Sequence, residues 1–220
     1  MTFALAYPLS LCAAWVVAWL VNLQVRSAFG FGSDADTIFW MSAKLLIWVL
    51  PTIVFVKRMR HGSIADYFAL REPGKGIGFG FLIGLAVLAV SFALDFLFGG
   101  AAFGLPLMDL TLVSAALVSP FAEEWALRGF YLPELVERGI PQSKANNYAA
   151  LAFAAMHLPG WYFQGRLREP LGVIQPIVFL WLFGLLLAWS KTAGQTQKHG
   201  SLYAPMIVHA LNNLYVAGRG

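Results

Sequence analysis

Residues 110 to 131 read LTLVSAALVSPFAEEWALRGFY. The run is long and apolar enough for a membrane-spanning helix, yet it carries two adjacent carboxylates and an arginine. A charged side chain at the centre of a span costs on the order of 3 kcal/mol on insertion scales. Whether a bilayer surrounds this stretch, and what its charges do there, decides the reading of the whole chain.

Composition answers the first question. Hydrophobic residues make up 59% of the chain, charged residues 12% and aromatic residues 15%, with a mean hydropathy of +0.68. These values lie outside the range of soluble globular domains. A spanning helix needs about 20 mostly apolar residues, and such runs fall at roughly 4–24, 37–56, 77–98, 110–131, 145–163, 171–189 and 202–217. The expected fold is an all-α, polytopic membrane bundle of about seven transmembrane helices. Connections are short, and no internal repeat or low-complexity tract separates a soluble domain. The chain therefore reads as one membrane domain, with N-terminal helices over 1–109 and a helical core over 110–220.

The first apolar run lacks a basic leader and a small-residue cleavage site, so it reads as a retained helix rather than a signal peptide. Cys12, the only cysteine, lies inside it and is expected to pack. With seven spans, one side carries Lys57, Arg58, Arg60, Arg71, Lys75, Arg138, Lys144, Lys191 and Lys198, and the other Arg26, Arg166, Arg168 and Arg219. Nine cations against four predict a cytoplasmic N-terminus, with a bacterial inner membrane as the expected location. The net charge of +4 then reflects topology and anionic headgroups. No basic stripe with interleaved aromatics points to nucleic acid.

Residues four apart share a helix face, so Glu124 and Arg128 are spaced to pair. Glu123 points about 100° away and is left over. An unpaired carboxylate inside a membrane marks a functional site by default, although a second ion pair or a protonated, hydrogen-bonded glutamate would also account for it. Lys44 and Asp95 lie nearer the outer ends of their spans and are expected to snorkel or meet water. Two further helices carry polar groups in apolar surroundings. FAAMHLPGW puts His157 one turn after Phe153, and APMIVHALNNLYV puts His209 and Asn213 on one face. At 1.5 Å per residue, Glu123, His157 and His209 lie roughly 12, 18 and 10 Å from the cytoplasmic ends of their spans, so one site can hold all three.

Glu123-Glu124-x-x-x-Arg128, Phe153-x-x-x-His157 and His209-x-x-x-Asn213, in this order, resemble the CPBP family of intramembrane proteases. That family includes CAAX-processing prenyl-protein endopeptidases and bacteriocin-processing or self-immunity relatives. The resemblance covers residues 119 to 213. It implies an intramembrane endopeptidase acting on a membrane-associated protein or peptide. It further implies Glu123 as general base, His157 as its partner in activating water, and His209 with Asn213 as oxyanion donors. Glu124 and Arg128 support the site. The chemistry suits peptide hydrolysis, which needs a base to activate water and donors for a developing oxyanion.

Three alternatives use the same residues. Glu123, His157 and His209 would make a three-ligand zinc site with an open position, though the H-E-x-x-H spacing of soluble zinc proteases is absent; the preferred reading needs no cofactor. A proton- or cation-coupled transporter could also use the cluster, but no repeated halves accompany it. A scaffold joined by interhelical polar contacts is the non-catalytic reading.

Smaller features have local readings. Pro120 either kinks its helix to admit water or is an ordinary membrane-helix proline. Asn146-Asn147 suggests helix-start chemistry. His61 and His199 are expected in solvated loops. Trp161-Tyr162-Phe163 suits an interfacial aromatic belt or a substrate entrance, and GFGFLIG, residues 78 to 84, suits close helix packing.

Overall fold

The computed structural model describes residues 2–60, 63–71, 73–100, 103–104, 106–193 and 200–219. His61, Lys198 and His199 lie outside them. Among the described residues nine α-helical runs follow one another, with a short 3-10 turn at Arg166–Arg168 between the seventh and eighth: α1 (Phe3–Phe29), α2 (Ser33–Arg60), α3 (Ile64–Tyr67), α4 (Pro73–Phe98), α5 (Leu110–Glu137), α6 (Gln142–Ala155), α7 (Leu158–Phe163), α8 (Pro170–Thr192) and α9 (Tyr203–Gly218). No strand occurs among the described residues. The protein is an all-α membrane bundle.

Five runs, α1, α2, α4, α5 and most of α8, are long and apolar enough to cross a bilayer. The other two expected spans are helical but short. The 145–163 run breaks into α6 of 14 residues and the stub α7, because Pro159 cannot donate to a continuing helix. The 202–217 run is α9, 16 residues long.

α5 is the central helix. Every residue from Ala122 to Leu135 is buried, as expected for a helix enclosed on all sides. α1, α2, α6, α8 and α9 contact it. α5 contains two wide π turns, Ser114–Val118 and Trp125–Tyr131, and prolines follow them at 120 and 133. A proline inside a helix removes one N–H and crowds the carbonyl four residues earlier; a wide turn relieves both. α2 repeats the arrangement, with the π turn Leu45–Val49 before Pro51. Side chains meet carbonyls in the second π turn of α5: Tyr7 of α1 donates to the Ala126 carbonyl at 3.3 Å, and Lys191 of α8 donates to that of Arg128.

Around this axis the helices pair closely. α4 lies on α9 through Gly76, Gly80 and Gly84, all buried. A Cβ at Gly80 would stand 2.9 Å from the Ala204 carbonyl oxygen, and one at Gly84 2.5 Å from Leu211. This is the small-residue packing expected of GFGFLIG, extended one turn back to Gly76. α6 packs along α8, where Asn147 accepts from Trp181 Nε1 at 2.8 Å. Asn146 and Asn147 therefore lie inside α6, which begins at Gln142, and do not start it. Cys12 packs half-buried against α6, its thiol directed at the Ala155 carbonyl.

One loop-side expectation changes. Lys191 is buried at 1% exposure, so it is an interior cation rather than a loop charge. Asp95, near the end of α4 and still partly exposed, is also held by Tyr215 and by Arg219 at 2.9 Å. At the opposite end, buried Glu134 gathers Arg60, Arg138 and the Tyr67 hydroxyl, linking α2, α3 and α5.

Candidate active site

Glu123 and Glu124 sit between the two π turns of α5, in the α-helical segment Ser119–Glu124. Successive residues on a helix diverge by about 100°, and here the divergence sends the two carboxylates to different partners. Oε1 of Glu124 accepts from Nη1 of Arg128 at 3.1 Å and from Nδ1 of His209 at 2.9 Å. Nη2 of Arg128 donates to the Gly184 carbonyl at 2.9 Å, and the guanidinium lies 4.8 Å over the Phe153 ring. Glu124 and Arg128 are both wholly buried. Breaking such a pair by removing one member costs about 3–5 kcal/mol, because it strands the other charge.

Glu123 turns toward α2. Its Oε1 accepts from the Lys44 ammonium at 2.9 Å, and Lys44 also donates to the hydroxyl of Ser119, one turn earlier on α5. Its Oε2 lies 3.9 Å from Nε2 of His209, too far for a direct hydrogen bond. His209 is thus held at Nδ1 by Glu124 and aimed through Nε2 at Glu123.

His157 completes the cluster from the end of α6. Its Nδ1 is 2.8 Å from the Phe153 carbonyl; as the donor in that bond it leaves Nε2 as a lone-pair acceptor in the neutral ring. Pro159 and Gly160 turn the chain into α7 just beyond it. The Phe153 ring lies between the two imidazoles, 5.0 Å from His157 and 5.5 Å from His209, edge-on to each. Three helices, α2, α5 and α9, therefore meet at Glu123, with His157 of the α6 end on the far side of the Phe153 ring from His209.

Asn213, one turn beyond His209, donates through Nδ2 to the Ala115 carbonyl in the first π turn of α5, at 2.7 Å. That bond occupies one of its two amide N–H groups. Of the aromatic trio after His157, Trp161 lies 6.1 Å from the His157 ring, Phe163 stacks on Trp19 at 5.4 Å, and Tyr162 is exposed. Only Trp161 borders the cluster.

Several members were not apparent from spacing. Lys44, expected to snorkel outward, turns inward to Glu123, with its side chain only 15% exposed. Glu123 is consequently paired and not free. Gly184 supplies a carbonyl to Arg128, and a Cβ there would stand 2.9 Å from the Ala150 Cα. The one sequence signal for Lys44 was a lysine in an apolar span, four residues before buried Trp48 and so on its face.

A divalent ion would require Glu123, His157 and His209 to converge as ligands. Among the described residues no three His, Cys, Asp or Glu side chains are gathered so as to hold one. The Lys44 ammonium already occupies Oε1 of Glu123, and a second cation there would be repelled. As arranged here, the described residues do not form a three-ligand site.

A family model described as type II CAAX prenyl endopeptidase Rce1-like matches residues 104–215. No curated protein and no solved structure matches the chain. The matched region spans just over half of the chain and contains all three motifs, while Lys44 lies outside it. The match agrees with the resemblance carried by those motifs. The chain is an integral membrane protein belonging to the type II CAAX prenyl endopeptidase Rce1-like family, a family of proteases.

Proposed function

We propose that this protein is a metal-independent intramembrane endopeptidase in which Glu123 and His157 activate water and His209 with Asn213 stabilise the oxyanion. The observation that supports it best is the 3.9 Å separation of Glu123 Oε2 and His209 Nε2 in the buried interior. A water in reach of Glu123 Oε2 gives its proton to that carboxylate while His157 Nε2 orients it. The resulting hydroxide attacks the scissile carbonyl carbon. Negative charge then gathers on the former carbonyl oxygen, met by Nε2–H of His209 as imidazolium and by the second amide N–H of Asn213. As the C–N bond breaks, the proton held by Glu123 passes to the leaving amine.

The substrate we infer is a prenylated C-terminal peptide of a membrane-associated protein. An apolar groove of about 500 Å³ runs between α4 and α8, lined by Ile83, Val87, Leu94, Phe179, Leu182 and Phe183. The Phe183 ring lies 5.7 Å from that of His209, so an isoprenoid chain in the groove would bring the attached peptide to the site. A cytoplasmic N-terminus remains our reading of orientation, with eight cations against four once buried Lys191 is set aside. Nothing in the family match or the fold supports the transporter reading.

The test is cleavage of a fluorogenic farnesylated C-terminal peptide by purified protein in liposomes. Wild type is expected to cleave it, and Glu123→Gln to fold normally but not cleave. Retained cleavage by Glu123→Gln would remove Glu123 from the chemistry; no cleavage by wild type would remove the substrate class.

A further inference from the structure

Among the described residues, Lys44 is the one charged side chain that touches the cluster from outside the matched region. It comes from α2, and its ammonium makes two bonds to one face of α5, to Ser119 and to Glu123 four residues on. Its charge is met by Glu123, and the Trp48 ring, one turn along α2, lies 5.8 Å from it. Lysine carries a long flexible stem and a compact charge, which lets α2 reach a carboxylate on the neighbouring helix.

Resting on the hydrolytic reading above, we propose that Lys44 is the positioning residue of this site. By holding Oε1 of Glu123 it fixes the rotamer of that side chain and leaves Oε2 alone turned toward His209 and the reacting water. A carboxylate with both oxygens unheld would rotate freely and collapse onto His209, 3.9 Å away, closing the gap where the water must sit. The first half of the chain, which carries none of the three motifs, thereby supplies part of the active site. Lys44 makes no bond to the scissile group and exchanges no proton in this scheme.

The proposal has an activity-based and an activity-independent test. With the farnesylated probe, Lys44→Met should lower kcat about 10- to 100-fold, the range for losing a hydrogen bond to a charged group, while KM stays unchanged. Lys44→Arg, which keeps the cation, should restore part of kcat. Independently, dicyclohexylcarbodiimide, an apolar reagent for protonated carboxyls inside membranes, should modify Glu123 in Lys44→Met but spare it in wild type and Lys44→Arg, as read by peptide mass spectrometry. Labelling decides the matter even if wild type fails to cut the probe, a result that counts against the proposed substrate and not against Lys44. Equal labelling in wild type and Lys44→Met, or unchanged kcat in Lys44→Met, overturns the proposal. Because Lys44 also holds Ser119, Ser119→Ala should leave cleavage within a few-fold of wild type. Complete loss in Ser119→Ala, with fluorophosphonate labelling of wild-type Ser119, would make Lys44 the activator of a serine nucleophile and overturn the positioning role.

Discussion

Nδ1 of His209 and Nη1 of Arg128 share a single acceptor, Oε1 of Glu124, at 2.9 and 3.1 Å. Glu124 is therefore more than the structural counter-ion of Arg128, because it also sets the direction in which His209 presents Nε2. Glu124→Met, which has no comparable acceptor, should lose both functions, stranding buried Arg128 at a cost of about 3–5 kcal/mol and abolishing cleavage. Adding Arg128→Met should recover much of the thermal stability in detergent without restoring activity. Recovery of both together would reduce Glu124 to a charge partner.

Asn213 provides a sharper test of the oxyanion role. Asn213→Ala should lower kcat about 100- to 1,000-fold, the usual loss for one oxyanion donor. Since it also removes the bond to Ala115, melting temperature should be measured on the same preparation. A fall in stability with kcat intact would confine Asn213 to helix packing.

Gly184 tests how tightly α8 must approach α5 and α6. Its substitution by alanine would put a methyl group 3.2 Å from Arg128 Nη2 and closer still to α6. The expected cost is about 1–3 kcal/mol of overpacking. A thermal-shift series should show Gly184→Ala well below Gly172→Ala, whose added Cβ meets nothing nearer than 3.8 Å.

Metal removal should have no effect. Prolonged dialysis against phenanthroline, followed by assay without added metal, is expected to leave the cleavage rate unchanged, because Lys44 holds the oxygen a metal would need. Loss of activity that zinc alone restores would refute the metal-independent mechanism.

The Tyr67 phenol, outside the membrane-spanning runs, offers a pH test of the Glu134 cluster. Burial first, and then its hydrogen bond to Glu134, raise its pKa well above the ordinary 10.0. Folding thus favours the protonated phenol. Its contribution to stability is complete below pH 10 and declines as pH rises from there toward the folded value. Denaturation followed between pH 9 and 12 should show a smaller alkaline loss for Tyr67→Phe than for wild type.

Local properties of the chain were sufficient for membrane residence, helical class, the Glu124–Arg128 pair and the three motifs. Each depends on composition or on i, i+4 spacing, which a helix converts directly into a shared face. Spacing also located α9, whose bounds Tyr203–Gly218 match the 202–217 run, and the proline at 159 signalled the break after His157, but hydropathy alone ran 145–163 together as one span.

What only the tertiary structure decided is who meets whom. Lys44 and Glu123 are 79 residues apart, and no periodicity within α2 or α5 sets their relative height or rotation. That register follows from side-chain packing between helices, including the wide turns beside Pro51 and Pro120 that rephase each helix. Hence the sequence alone was enough to identify the expensive charges, while the packed bundle determined that the leftover carboxylate has a lysine partner and that one glutamate oxygen aims a histidine at the other glutamate.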